Sequence, residues 1–154
     1  SGSRNKGSIR NLVANRKGNK KTRAKIEACV LRPNDSFPEL GCVAFKYTGE
    51  TIDKAMTEGI ATNRPLMIVF QELPGCMSCL KFAQDVLSHP LIVEAASSLF
   101  VPVVVNNRAT VPGDAKVLDF YREPRLNNPV VRFVSARTGS DIATRVADGN
   151  LTVA

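Results

Sequence analysis

Leu73-Pro74-Gly75-Cys76-Met77-Ser78-Cys79-Leu80-Lys81 decides the reading of this chain. The stretch lies where an apolar strand, Pro65-Leu66-Met67-Ile68-Val69-Phe70, gives way to an amphipathic helix. That helix is expected over residues 76–87, with Cys79, Phe82, Ala83, Val86 and Leu87 on one face. Cys76 and Cys79 then sit in its first turn, where unpaired N–H groups and partial positive charge stabilise a thiolate. A thiolate is the form of cysteine that attacks disulfides. The spacing alone also fits a zinc half-site or two plain core residues. The position at a strand-to-helix junction, in a chain that alternates strands and helices, favours a redox-active dithiol.

The rest of the composition is consistent with one domain and an appendage. The chain has 154 residues, of which 44% are hydrophobic, enough for one core of ordinary size. No run approaches the roughly 20 apolar residues of a membrane helix. No secretory leader is visible, but Ser1-Gly2-Ser3 resembles the remnant of an expression tag, so that absence carries no weight. The net charge of +7 is unevenly spread. Residues 1–32 hold ten Lys/Arg against Glu27 alone, while residues 33–154 hold 11 basic and 13 acidic residues. The expected organisation is therefore a basic N-terminal extension, 1–32, and a domain, 33–154. Like-charged segments are commonly solvated tails; this one is expected to be helical over residues 20–31. It is also a candidate contact for an acidic or membrane-surface partner. No aromatic residue interleaves its charges for base stacking, which argues against nucleic acid.

A coarse pass places the other elements. Residues 32–38 read as a linker with turn chemistry. A short strand is expected at 42–47 and a helix at 51–58, ending near Gly59. The strand at 65–70 has no polar alternation and is expected to be central and covered on both faces. His89-Pro90 breaks the dithiol helix, and a helix resumes at 91–98. Residues 99–105 form a second apolar strand, whose Pro102 implies a start after it or an edge position. A helix at 114–121, capped near Pro112-Gly113-Asp114, leads to a strand at 129–134. A turn at 137–140 then leads to a last strand at 141–146.

This order, with C-x-x-C opening the helix after the central strand, resembles the thioredoxin superfamily. The matching text is Asn63-Arg64-Pro65-Leu66-Met67-Ile68-Val69-Phe70, Cys76-Met77-Ser78-Cys79, Asp85-Val86-Leu87-Ser88-His89-Pro90 and Leu99-Phe100-Val101-Pro102-Val103. It is most similar to the branch containing the C-terminal reductase domain of the periplasmic disulfide-interchange transporter and thioredoxin-like domains of the secretory pathway. The resemblance covers residues 50–147. It implies an α/β fold with a central mixed sheet flanked by helices, from which this chain is expected to depart by lacking the final helix. It implies a thiol-disulfide oxidoreductase that exchanges disulfides with protein substrates and requires no cofactor and no metal. Cys76 would be the exposed nucleophile and Cys79 the buried resolving cysteine. Asn128 and Pro129 would form the substrate-binding loop, with Pro129 as the family's cis-proline. An ordinary trans proline opening a strand is the alternative.

Some positions depart from the family pattern. Gly75 stands where Trp is usual, and the chain has no Trp. Phe70 stands where many members carry a buried acid; the nearest acid, Glu72, reads as a surface residue. Met77-Ser78 does not rank the dithiol as reductant or oxidant. The missing final helix implies a longer protein, or another element or subunit covering that face. His89 reads as a helix-end residue. Cys29 and Cys42 are a candidate structural disulfide with twelve residues between them, worth about 3 kcal/mol by loop entropy. Such a bond points to an oxidising compartment outside the cytoplasm, such as the periplasm or secretory pathway. Two free buried thiols, or a zinc site of all four cysteines, are the alternatives. The competing function is a non-catalytic interaction module that works through the basic segment.

Overall fold

The computed structural model describes residues 19–31, 37–74, 77–125 and 129–147. A five-stranded mixed sheet runs in the order β1-β3-β2-β4-β5. Its strands are β1 (Tyr47–Thr48), β2 (Leu66–Gln71), β3 (Val101–Asn106), β4 (Val130–Val134) and β5 (Val146–Ala147). β1, β3 and β2 are parallel, and β4 lies antiparallel to both β2 and β5. The helices are α1 (Lys20–Leu31), α2 (Ile52–Thr62), α3 (Met77–Asp85), α4 (Pro90–Ser98) and α5 (Pro112–Tyr121). Short 3-10 turns lie at Pro38–Leu40 and Gly49–Thr51.

β2 is central, and all six of its residues are buried. Its period of two divides the core. Leu66, Ile68 and Phe70 join Ala55 of α2 and Val117 and Leu118 of α5 in one cluster. Met67 and Val69 join Phe82, Leu87, Val93 and Ala96, from α3, α4 and the turn between them, in the other. Each fully buried Leu, Ile or Phe contributes roughly 1.5–3 kcal/mol, so this strand is a main source of stability. Ile26 and Cys29 of α1 pack against the second cluster, and Thr22, one turn earlier, is buried. α1 thus lies on the α3–α4 side of the sheet.

Several boundaries differ from the expected ones, each for a local reason. The strand expected at 42–47 shrinks to Tyr47–Thr48, because Cys42 and Val43 turn into the second cluster and Cys42 N–H donates to Leu87 O. α2 does not end at Gly59 but runs on to Thr62, and Asn63 closes it with φ 53°. Gly59 serves close approach instead: a Cβ there would lie 2.6 Å from Arg64 O and crowd Ala136 Cβ. α3 ends at Asp85, and Ser88 Oγ donates to Ala83 O just beyond it. His89 caps α4, its Nδ1 accepting Leu91 N–H, with Pro90 in the first turn. α5 starts at Pro112 rather than Asp114, whose carboxylate instead accepts Gly49 N–H at 3.0 Å. Burial raises the Asp114 carboxyl above its ordinary range, partly offset by N–H groups of Asn106 and Gly49.

Pro102 lies inside β3, at its second residue, not before the strand. Val101 and Asn107 N–H donate to Pro65 and Gln71 of the β2 side, so the nitrogen of Pro102 faces the β1 side. β1 pairs only from Val103 onward, so the missing N–H of Pro102 falls on a locally open edge. The strand expected at 141–146 is reduced to an isolated bridge, Val134↔Asp141, and the two residues of β5. Three steps along β4, Val134 to Val131, face five steps on the returning chain, Asp141 to Val146, so a two-residue bulge interrupts the pairing.

Candidate dithiol site

Parallel strands carry their functional groups at their C-terminal ends, where the loops gather. β2 ends at Gln71, the chain passes Glu72-Leu73-Pro74, and α3 begins at Met77. Gly75 and Cys76 lie between them, outside the described residues. Cys79 sits in the first turn of α3 and is fully buried. Its Sγ accepts the backbone N–H of Glu72 at 3.4 Å. Met77, beside Cys76 in the chain, is 80% exposed, an apolar side chain offered to solvent at the mouth of the site.

Pro129 is buried and immediately precedes β4, whose first pair is Phe70↔Val130. It therefore lies at the same end of the sheet as the dithiol turn. Asn128 and the Asn128–Pro129 bond lie outside the described residues. A cis bond is present elsewhere, at Leu73–Pro74 in the turn that leads to Cys76.

The turn is held by the end of the neighbouring strand. Asn106, the last residue of β3, accepts Leu73 N–H on Oδ1 at 3.2 Å and donates from Nδ2 to Leu73 O at 3.0 Å, as a strand backbone would. Arg108 donates to Pro74 O from Nε and Nη2, at 3.2 and 2.8 Å, and its Nη2 pairs with Glu72 Oε1 at 2.9 Å. Glu72 is one-third exposed, as expected for a surface acid, but it is not idle there. Phe70 points into the core on the α2–α5 side, away from α3. On the α3 side Gln71 is fully buried, its Nε2 donating to the backbone oxygen of buried Glu39 at 3.0 Å. Sequence reading missed Asn106, Arg108, Gln71 and Glu39.

Cys29 and Cys42 are joined as a disulfide, with Cα atoms 5.7 Å apart. The bond fastens α1 beside the C-terminal side of α3, where Gly41 abuts Ala83 and Leu87. Disulfide sulfurs offer no thiolate to a metal, so the four-cysteine zinc set is not formed. Among the described residues, no three His, Cys, Asp or Glu side chains cluster as a metal site.

The sequence profile of the thioredoxin-like family matches residues 47–136, more than half of the chain. The chain belongs to the thioredoxin-like family. The mixed sheet with its flanking helices is the thioredoxin-like α/β fold. Among solved structures it is similar to "DsbH Oxidoreductase", with a TM-score of 0.57 and 16% identity over 75% of this chain and 81% of that one. It also matches a thioredoxin from Thermus thermophilus, at 23% identity and a TM-score of 0.49 over 60% of this chain and 68% of that one. No curated protein matches the sequence. In this thioredoxin-like chain the dithiol stretch begins beyond the C-terminal end of the central strand, and Pro129 opens the strand paired to it.

Proposed function

We propose that the protein is a thiol-disulfide oxidoreductase acting on protein thiols and disulfides through Cys76 and Cys79. The observation that carries this reading is the Cys79 sulfur, buried in the first turn of α3 under the Glu72 N–H. That environment suits a resolving cysteine: shielded from outside disulfides, yet one helical turn from Cys76 in the chain. Cys76 thiolate attacks one sulfur of a substrate disulfide, forming a mixed disulfide, while the other sulfur leaves as a thiolate and takes a proton from water. Cys79, as thiolate, then attacks the Cys76 sulfur. The Cys76–Cys79 disulfide forms, and the second substrate thiolate departs and is protonated. The substrate gains two electrons and the dithiol loses two; run backward, the same steps oxidise a substrate dithiol. No cofactor enters these steps.

Exposed Met77 supplies an apolar contact beside the nucleophile, and residues 128–129 supply the backbone edge for an extended substrate segment. The Cys29–Cys42 bond supports an oxidising compartment outside the cytoplasm, periplasm or secretory pathway. The test is turnover of a protein disulfide. Cys76→Ser is expected to abolish it, and Cys79→Ser to accumulate the mixed disulfide. Full turnover by Cys76→Ser would overturn the reading.

A second reading rests on α1. Thr22, Ile26 and Cys29 turn one face toward the domain, leaving Lys20, Lys21 and Arg23 exposed. As an interaction module for an acidic or membrane-surface partner, the protein would lose binding on charge reversal at these three positions and be indifferent to Cys76→Ser.

A further inference from the structure

The α2–α5 side of the molecule leaves large apolar side chains in solvent. Phe120 of α5 is 69% exposed, Ile142 in the chain returning from β4 is 56% exposed, and Ile60 of α2 is 43% exposed. They line two cavities, of about 470 and about 310 Å³. One stripe of α2 runs through both at a spacing of four: Ile52 and Met56 in the larger, Ile60 in the smaller. The turn after β4 lines both as well, with Gly139 in the larger and Arg137 in the smaller. A Cβ at Gly139 would lie 3.7 Å from Phe120 Cε1 and 3.9 Å from Met56 Cε, so turn, α5 and α2 meet in one surface.

The two ends of that surface differ in charge. Glu50 and Asp53, with Lys116 on the α5 wall, lie where α2 begins. Arg64 and Arg137 lie where it ends. Arg64 donates to Thr62 Oγ1 and to the carbonyls of Ser97 and Phe100, all neutral, so its charge is not cancelled. Among the described residues, the ion pairs are made by other groups. One face thus carries an acidic end, an apolar middle and a basic end along the 11 residues of α2, about 16 Å.

We propose that this face joins two copies of the chain about a two-fold axis, with their α2 helices antiparallel. That arrangement lays Glu50 and Asp53 of each copy beside Arg64 and Arg137 of its partner. It does so twice, because a two-fold contact repeats every pairing. Met56 and Ile60 meet their counterparts in the middle, and Phe120 and Ile142 are covered from the sides. A second copy fits better than an unrelated partner, because the face itself supplies both signs in the order its copy needs. α1 and α3 pack on the other face of the sheet, so the contact leaves α3 uncovered in both copies. The inference is independent of the oxidoreductase reading. An interface one short helix in length is a small one, so the dimer is expected to dissociate on dilution.

Sedimentation velocity over a concentration series measures the mass of the full chain, 16.7 kDa as a monomer. Cys76→Ser is present throughout, so that no disulfide of that thiol links two copies. The expected result is a monomer–dimer equilibrium whose dimer fraction falls as salt rises. Ile60→Asp is expected to be folded and monomeric. Asp53→Arg places cations at both ends of the face, and Arg137→Asp places anions at both. Each variant alone should dimerise about tenfold more weakly than the parent, because like charges then oppose each other twice. An equimolar mixture of the two should dimerise as the parent does, since every cation again meets an anion. Misfolding of either variant would not give that recovery. Should Ile60→Asp not fold, the charge pair carries the test. A parent that stays monomeric at every concentration overturns the inference, as does a dimer that persists in folded Ile60→Asp, or a mixture no more dimeric than its components.

Discussion

Glu123 is a full carboxylate with 1% side-chain exposure, and two guanidinium groups make that possible. Arg132 reaches it at 2.6 Å and Arg145 at 2.6 to 2.9 Å, while Arg132 also holds Asp141. Burial by itself would raise the Glu123 carboxyl, but the hydrogen bonds and charges of the two arginines hold it below its ordinary range. A depressed acid stabilises the fold above its unfolded value, and that contribution is lost as pH falls through the folded value. Glu123→Gln is therefore expected to cost about 3 kcal/mol at neutral pH. Urea unfolding at several pH values checks this: the gap between parent and variant should narrow as pH falls through the acid range. Tyr121, beside this network, donates its hydroxyl to Gly139 O, and burial pushes its phenol up to about 12. Gly59 is the second sensitive residue. Alanine gains up to about 1 kcal/mol of helix propensity over glycine, but here its Cβ meets Arg64 O and Ala136 with no room to yield. Gly59→Ala is expected to destabilise by about 1–2 kcal/mol net, read as a lower urea midpoint with unchanged slope.

At the scale of elements, α1 depends on one bond and a narrow face. Asn19 holds Glu94 of α4 and accepts Thr22 N–H on its side chain, but the rest of α1 is largely exposed. Replacing Cys29 and Cys42 by Ser should cost about 3 kcal/mol. Hydrogen exchange should show α1 losing protection first while β2 and β3 keep theirs; equal loss across both would refute a tethered helix.

Elements with strong patterns were legible in the sequence. The unbroken apolar run of β2 fixed its central place, and Pro90 and His89 marked the start of α4. The shorter strands were not legible, because pairing partners rather than local pattern set their ends. β1 stops where Cys42 and Val43 are drawn to another core. β5 is cut by a bulge that the Arg132–Asp141 pair sits beside. Gly59 misled as a helix stop because its reason is a contact distant in sequence. In the site, the positions of Cys79 in the first turn of α3 and of Pro129 just before β4 were readable from motif and order, while their roles are the proposal. Arg108 was not, since it becomes visible only when two neighbouring parallel strands end together.

For the molecule as a whole, fold and charge point to a thioredoxin-like body with a basic helix fastened to its side. Among the described residues, no helix is long and apolar enough to cross a membrane. The two cysteine pairs have different proposed chemistry: the Cys29–Cys42 bond ties α1 to the domain, and Cys76 and Cys79 are proposed to exchange electrons. The most direct test of that division is thiol trapping with mass spectrometry across a glutathione redox series, on the parent protein and on Cys76→Ser. The account predicts a reversible Cys76–Cys79 disulfide with a defined potential, lost in Cys76→Ser, while Cys29–Cys42 stays oxidised throughout. Cys76 and Cys79 remaining reduced and unreactive across the whole series would contradict it.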